Sequence, residues 1–281
     1  MKIQVNSEWG NLKECVFGQM HDFIFPEWTD QYETIVTPDL KQYVKDNAGK
    51  RRSEFEPEGH AKTVAQQEAV VKALEDLGVI VHRPKKLTRE QETFYPISSG
   101  ITQGWARDWL GVIGNNYIEL APRRLALRFD KYAFRYIAEQ VIDRGGRWLA
   151  MPESPKVQDD GTDPSIPFLE GGDIFPFPDK KVLVGCNEGH TASSEAGIKW
   201  LQAALGDEYD VEHVPINGEL IHLDCMLHTQ REGLAVACPE GFAAGIPDYL
   251  KDWDLIEISL DDAHHLGANH LVVNEETAIV A

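Results

Sequence analysis

Cysteine is scarce in this chain. Cys15, Cys186, Cys225 and Cys238 are its whole supply, widely spread and without a C-x-x-C pair. That spacing argues against a zinc cluster or a disulfide framework and suits a reducing compartment. Long apolar runs are lacking as well. No stretch approaches the ~18 residues of a membrane span, and the start, "MKIQVNSEWG", has no apolar core of a signal peptide. The expectation is a cytoplasmic protein that does not enter membranes. Basic residues are in short supply, with 27 Lys and Arg against 46 Asp and Glu, a net charge of -19. So acidic a chain repels phosphate backbones and anionic lipid, so neither nucleic acid nor membrane is an expected partner. The same charge aids solubility and can draw in small cations.

What is present is globular in character. The apolar fraction of 42% and charged fraction of 26% are those of a protein with a core and a wet surface. Its 281 residues allow one large domain or two ordinary ones, and either can bury a core without staples.

One unit recurs: paired strand material, an amphipathic helix, then a short β-branched strand. The spacing predicts helices near residues 60–78, 129–146 and 193–206, the last with a serine N-cap. A fourth, near 241–250, is weak because Pro247 interrupts it. "VIVHRP", "RWLAMP", "DVEHVPI" and "DLIEISL" follow as closing strands. Hairpin turns are expected at Gly114-Asn115-Asn116, Pro178-Asp179, Glu232-Gly233 and Asn274-Glu275. The closing "LGANHLVVNEETAIVA" is a fifth strand pair, making four units and the start of another. Unequal spacing argues against a regular solenoid. Residues 21–59 and 152–167 read as irregular segments of the kind that form lids and binding loops.

"LEGGDIF", residues 169–175, sets Glu170 and Asp173 around Gly171-Gly172. Two readings stand open. The segment is a tight turn with Asp173 bonding its own backbone, or the glycines admit another group while Glu170 points into a site. Comparable polar residues begin the first strand of two other units: Arg107-Asp108 in "GWARDW", and His222 with Asp224 in "IHLDCM". Strand alternation puts His222 and Asp224 on one face and Leu223 and Cys225 on the other. Repeated modules can aim such positions at one axis, giving the set Asp108, Glu170, His222 and Asp224. One imidazole among carboxylates suits acid–base work, and carboxylates suit a planar guanidinium. Rival readings are a metal held by His222 and Asp224 with His213, His228 or His264-His265, and a structural Arg107–Asp108 pair. Cys225 reads as a buried core thiol, and Cys186 has no nearby base to activate it.

Taken in order, these stretches resemble the amidinotransferases of the guanidine-modifying, or pentein, superfamily, such as the glycine and inosamine-phosphate amidinotransferases. The resemblance runs through "VNSEWGNLKECVFGQ", "ARDWLGVIGNNYIELAPRRLALRF", "GIKWLQAALGDEYDVEHVPI" with "IHLDCML", and "LGANHLVVNEETAIVA". It implies an α/β propeller of strand-strand-helix-strand modules with pseudo-fivefold symmetry, in a single domain over residues 1–281 with the fifth module incomplete. It implies His222 as acid and base with Glu170 as its partner, Asp108 and Asp224 holding the guanidinium, and Asp173 supporting the turn. It implies no cofactor and no metal. The partners would be a guanidino donor such as arginine and an amine acceptor, with a homo-oligomer compatible with the family. The chemistry passes through an amidino-cysteine. The family's nucleophilic cysteine matches none of the four here and is expected beyond Ala281. The chain also departs from glycine amidinotransferase at Gly241, where that enzyme has an arginine for its substrate's carboxylate, and at Gly267, where it has a serine. A hydrolase of the same fold, or a non-catalytic relative without its nucleophile, is the alternative.

Overall fold

The computed structural model describes residues 2–21, 23–29, 32–36, 38–93, 100–153, 165–187 and 192–280. Most of the expected loop at 152–167 lies outside them. Among the described residues the strands form five small sheets. Three share one pattern, in which a short antiparallel hairpin is followed by a parallel third strand. They are β3 (Leu110–Ile113), β4 (Asn116–Glu119) and β5 (Arg147–Ala150); β6 (Ile174–Pro176), β7 (Lys181–Asn187) and β8 (Asp210–Ile216); and β9 (Leu227–Arg231), β10 (Leu234–Ala237) and β11 (Asp254–Glu257). The other two are smaller. β1 (Glu14–Val16) pairs in parallel with β2 (Ile80–His82), and β12 (His270–Asn274) forms a hairpin with β13 (Thr277–Val280). The first unit thus pairs two strands among the described residues rather than the expected three.

A parallel partner needs a crossover, and a helix supplies it in three units. Helix α1 (Pro57–Asp76) joins β1 to β2, buries Val71 and Leu74, and ends at Gly78, whose φ is +82°. Helix α2 (Arg135–Asp143) joins β4 to β5; the expected helix at 129–146 opens instead as a 3₁₀ turn over Asp130–Phe134. Helix α3 (Glu195–Leu205) joins β7 to β8, and the Ser194 Oγ accepts from the Gly197 N–H at 3.2 Å as an N-cap. The fourth crossover carries no α-helix. Residues 239–241 and 248–250 are single 3₁₀ turns, as expected where proline interrupts the pattern.

The cores run from sheet to sheet. Phe175, Leu183, Val214, Leu227 and Ala235 join the β6–β8 sheet to the β9–β11 sheet. Ile118, Leu120, Ile174, Val184 and Leu201 join the β3–β5 sheet to the next and to α3. Trp109, Tyr117, Phe134 and Ile137 pack β3 and β4 on α2, with Val16 of β1 against them. Leu74, Val79 and Val273 join α1 to both small sheets, and the Leu12 N–H donates to the Val273 carbonyl at 2.8 Å. No helix of the described residues is long and apolar enough to cross a membrane.

The segment at 21–59 is more ordered than its composition suggests. Helices at Pro38–Asp46 and Arg52–Phe55 fold back so that Phe23, Phe25, Tyr43 and Phe55 pack edge to face or tilted. Phe23 meets Trp105 at 6.0 Å, which sets this segment beside the residues that precede β3.

Candidate active site

Each three-stranded sheet is preceded by one helical turn: Ala106–Trp109 before β3, Gly171–Asp173 before β6, and Leu223–Cys225 before β9. Asp108 sits on the first turn, Glu170 just ahead of the second and His222 just ahead of the third. The expected strand beginnings are therefore turns, and strand alternation does not govern residues 222–225. The three turns touch one another. A Cβ on Gly171 would collide with the Arg107 carbonyl oxygen, and one on Gly172 would lie 2.6 Å from His222 Nδ1 and 3.0 Å from Asp224 Oδ2. Both glycines are thus required by close approach, the first by backbone and the second by the imidazole.

Asp173 does not bond its own turn through its side chain. Its Oδ1 accepts from the Leu223 N–H at 3.0 Å and its Oδ2 from the Ser193 N–H at 3.3 Å, which ties the Glu170 turn to the His222 turn and to the start of α3. Burial pushes its carboxyl up to about 6, against the His222 charge and these hydrogen bonds.

Glu170 is completely buried. Its Oε2 lies 2.7 Å from His222 Nε2 and accepts from Arg124 Nη2 at 2.6 Å, while its Oε1 accepts from the Arg123 N–H at 3.1 Å. Its own N–H donates to Ser193 Oγ. Burial alone would raise its carboxyl, but the Arg124 charge and the His222 hydrogen bond override it and hold the group at about 2. Burial would likewise push the His222 imidazole down. The Glu170 hydrogen bond and the charges of Asp173, Glu170 and Asp108 outweigh it and raise the imidazole to about 10. At neutral pH this is a carboxylate–imidazolium pair. His222 Nδ1 remains on the side facing Asp224, 4.0 Å from Oδ1.

Asp108 and Asp224 flank the pair, each 14% or less exposed in its side chain. Asp108 Oδ2 accepts from the same Arg124 Nη2 at 2.8 Å, and burial pushes its carboxyl up. Asp224 Oδ2 lies 3.3 Å from Arg107 Nε, and Arg107 also holds Glu8 at 3.0 Å. The supposed Arg107–Asp108 pair is therefore split: Arg107 serves Asp224, and Arg124 serves Asp108. Tyr32 lies within reach of the same charges, its phenol pushed up to about 12 by burial, with the Arg124 and Glu170 charges acting on it in opposite senses.

Sequence reasoning missed Arg124, Ser193, Glu8 and Tyr32. The one legible signal for the first was the pair Arg123-Arg124 just after β4, in a chain poor in basic residues. The histidines weighed as metal ligands go elsewhere. His228 stacks on His270 at 3.8 Å between ring centroids, and His264 and His265 face Glu219 and Asp261. Among the described residues no group of three or more His, Cys, Asp and Glu could hold a metal ion.

All four thiols are free. Burial pushes Cys15 and Cys186 up to about 11 and raises Cys238. Cys225 is nearest the site. Because its turn is 3₁₀, its Sγ lies 3.7 Å from Asp224 Oδ1 while it packs on the core below, so it is not turned cleanly away from Asp224. Burial and the Asp224 charge raise it well above the ordinary thiol range. No thiol is activated by this geometry.

No family model matches the chain. Among characterised proteins it is similar to the L-arginine:L-lysine amidinotransferase of Pseudomonas savastanoi pv. phaseolicola, at 24% identity over 98% of this chain and 82% of that protein. It is also similar to inosamine-phosphate amidinotransferase 1 of Streptomyces griseus, at 26% identity over 99% of this chain and 85% of that protein. In fold it matches SxtG, an amidinotransferase from Microseira wollei, with a TM-score of 0.81 at 21% identity over 99% of this chain and 86% of that one. DDAH from Pseudomonas aeruginosa shares the fold more distantly, with a TM-score of 0.58 at 14% identity over 96% of this chain and 84% of that one. By sequence over nearly its whole length the chain is similar to characterised amidinotransferases, and it shares its fold with an amidinotransferase and, more distantly, with DDAH.

Proposed function

We propose that this protein is an amidinotransferase, moving an amidino group from a guanidino donor such as arginine to an amine acceptor. The observation that carries the reading is the buried Glu170–His222 pair at 2.7 Å, flanked by Asp108 and Asp224. In this reading the two aspartates hold the planar cation of the donor. A thiolate adds to the guanidinium carbon and the C–N bond to the leaving amine breaks as His222 delivers its proton to that nitrogen. The neutral imidazole then takes a proton from the incoming amine, which displaces sulfur. Glu170 keeps the imidazolium charged until the leaving group needs its proton, and Asp173 positions the turn that presents His222. The thiolate is the part that Cys15, Cys186, Cys225 and Cys238 do not supply, since each is pushed up rather than down.

The same reading takes residues 1–281 as one domain whose modules stand about a pseudo-fivefold axis. Cores that run from each sheet to the next support it, as does the contact between β12 and the segment before β1. It also places the protein in the cytoplasm, in keeping with four unpaired cysteines.

The test is incubation with arginine and a series of primary amines, reading the guanidino product, urea and ammonia, alongside His222→Ala. With none of the four thiols activated, residues 1–281 alone are expected to bind arginine without turnover, and a guanidino product that requires the amine and vanishes in the variant is expected once a nucleophilic cysteine is supplied on a longer chain. Urea or ammonia formed without an amine would instead mark a hydrolase. Absence of turnover even with that cysteine, together with undiminished guanidine binding, would mark a binding protein on the same fold.

A further inference from the structure

Asp108, one of the two aspartates read above as the cradle for a substrate guanidinium, already holds one together with Glu170, and it belongs to the chain. Arg124 Nη2 stands between Asp108 Oδ2 at 2.8 Å and Glu170 Oε2 at 2.6 Å. Its side chain is only 14% exposed. We propose that Arg124 is an internal occupant of the guanidinium subsite, so that a guanidino ligand binds by exchange with it, and that this residue sets the affinity and selectivity of the site. The inference rests on the functional reading above.

Three features distinguish an exchangeable occupant from a structural ion pair. The first is the pairing itself. One nitrogen bridges both carboxylates, whereas Arg135 and Arg144 each present two N–H groups to a single carboxylate, Glu119 and Glu14. The second is an unmet donor. Among the described residues Arg124 Nε is buried and makes no hydrogen bond, a cost that exchange with a better-placed cation removes. The third is position. Arg124 lies just after β4 and ahead of the short helix Leu125–Arg128, in a connecting segment and not within a strand. The neighbouring Arg123 is anchored apart from the cradle, its Nε donating to the Ala192 carbonyl at 2.9 Å and its guanidinium lying 4.4 Å over the Phe168 ring. The backbone at 123 is held by Glu170 Oε1, so the Arg124 side chain can leave while the carboxylate stays in place.

The shared nitrogen makes the same point. Asp108 and Glu170 both accept from Arg124 Nη2, so a guanidinium entering without exchange would set two cations on one pair of buried carboxylates. With exchange, one cation replaces another. Arg107 stays outside the exchange, held by Glu8 and by Asp224 Oδ2, and shares Asp224 with the entering cation.

The experiment is calorimetric titration of methylguanidine and of L-arginine into the wild-type chain, Arg124→Ala, Arg124→Lys and the double variant Arg124→Ala/Asp108→Asn. Ethylammonium serves as the non-planar control. Arg124→Gln, which keeps most of the side-chain volume without its charge, takes the place of Arg124→Ala if the alanine variant does not fold. The vacated cradle is expected to bind methylguanidine about tenfold or more tightly than wild type. Arg124→Lys keeps a cation in place and stays near wild type. The double variant loses the gain, and ethylammonium gains much less than methylguanidine. Methylguanidine should also raise the melting temperature of the emptied variant more than that of wild type. If wild type binds guanidines and the emptied variant binds them no better, the exchange proposal fails and the functional reading survives. If no folded form binds any guanidine, the functional reading falls and the exchange proposal with it.

Discussion

At the scale of single residues, the site is governed by one buried ion pair. His222 is raised to about 10 and Glu170 lowered to about 2, so the pair stays charged between those limits. The sign for His222 follows directly. Its folded value lies above the ordinary imidazole value of about 6.5. Its stabilising contribution is therefore complete below that value and is lost as pH rises through about 10. Glu170→Gln removes the hydrogen-bonding carboxylate, leaves burial to dominate, and should drop the imidazole value. Proton–nitrogen correlation NMR of the His222 ring across pH 5–11 checks this. A wild-type ring that titrates at its ordinary value would rule the pair out as described. Much at this scale was legible in the sequence. Glu170, His222, Asp108 and Asp224 were chosen from polar residues at matching places in repeated units, and the structure brings them together. Arg124 was not legible, because nothing in a one-dimensional string says which arginine can reach across from β4 to the turn before β6. The glycines were read only in part. Close approach by another group was foreseen, but at Gly172 that group is the His222 imidazole itself.

At the scale of elements, the three helices with clear apolar stripes were found, one of them from its serine cap, and the crossover through Pro247 was rightly distrusted. The single turns ahead of β3, β6 and β9 were read as strand. A turn of three or four residues has no periodicity to detect, and its identity is fixed by tertiary bonds such as those of Asp173. The most informative cap is Ser194. Its Oγ accepts from the Gly197 N–H and from the Phe168 N–H at 3.0 Å, and donates to the Ile166 carbonyl at 2.8 Å. It fastens the start of α3 to the strand-like segment that delivers Glu170. Ser194→Ala should cost about 2 kcal/mol, the upper end for a cap, because bonds besides the capping one go with it. Urea unfolding should show a lower midpoint at unchanged slope. A loss within error would mean that neighbouring Ser193 carries the junction alone.

At the scale of the whole molecule, the repeated unit was legible because one hydrophobic pattern recurs, the strands flanking α1 included, whereas it was not legible that the first unit pairs only β1 and β2 among the described residues, both strands being three residues long. The net charge of -19 also acts at this scale. Methylguanidine affinity should fall as salt rises from low to physiological strength, because the screening length shortens from ~30 Å at 0.01 M to ~10 Å at 0.1 M. Binding of neutral urea should not respond. Equal salt dependence for both would remove long-range attraction from the account.

The bond from Leu12 to Val273 has a bearing on time as well as on shape. Contacts between segments so remote along a chain form late, because most of the intervening chain must settle before the ends of so large a loop can meet. Folding therefore resembles the latching of a clasp after its band has been shaped. The joint where α1, β1 and β12 share Leu74, Val79 and Val273 is the latch. A molecule caught just before that moment has shaped its middle sheets and the three turns of the site, yet still shows the apolar faces of two small sheets to solvent. That interval, more than the finished structure, is when the protein is most exposed to aggregation.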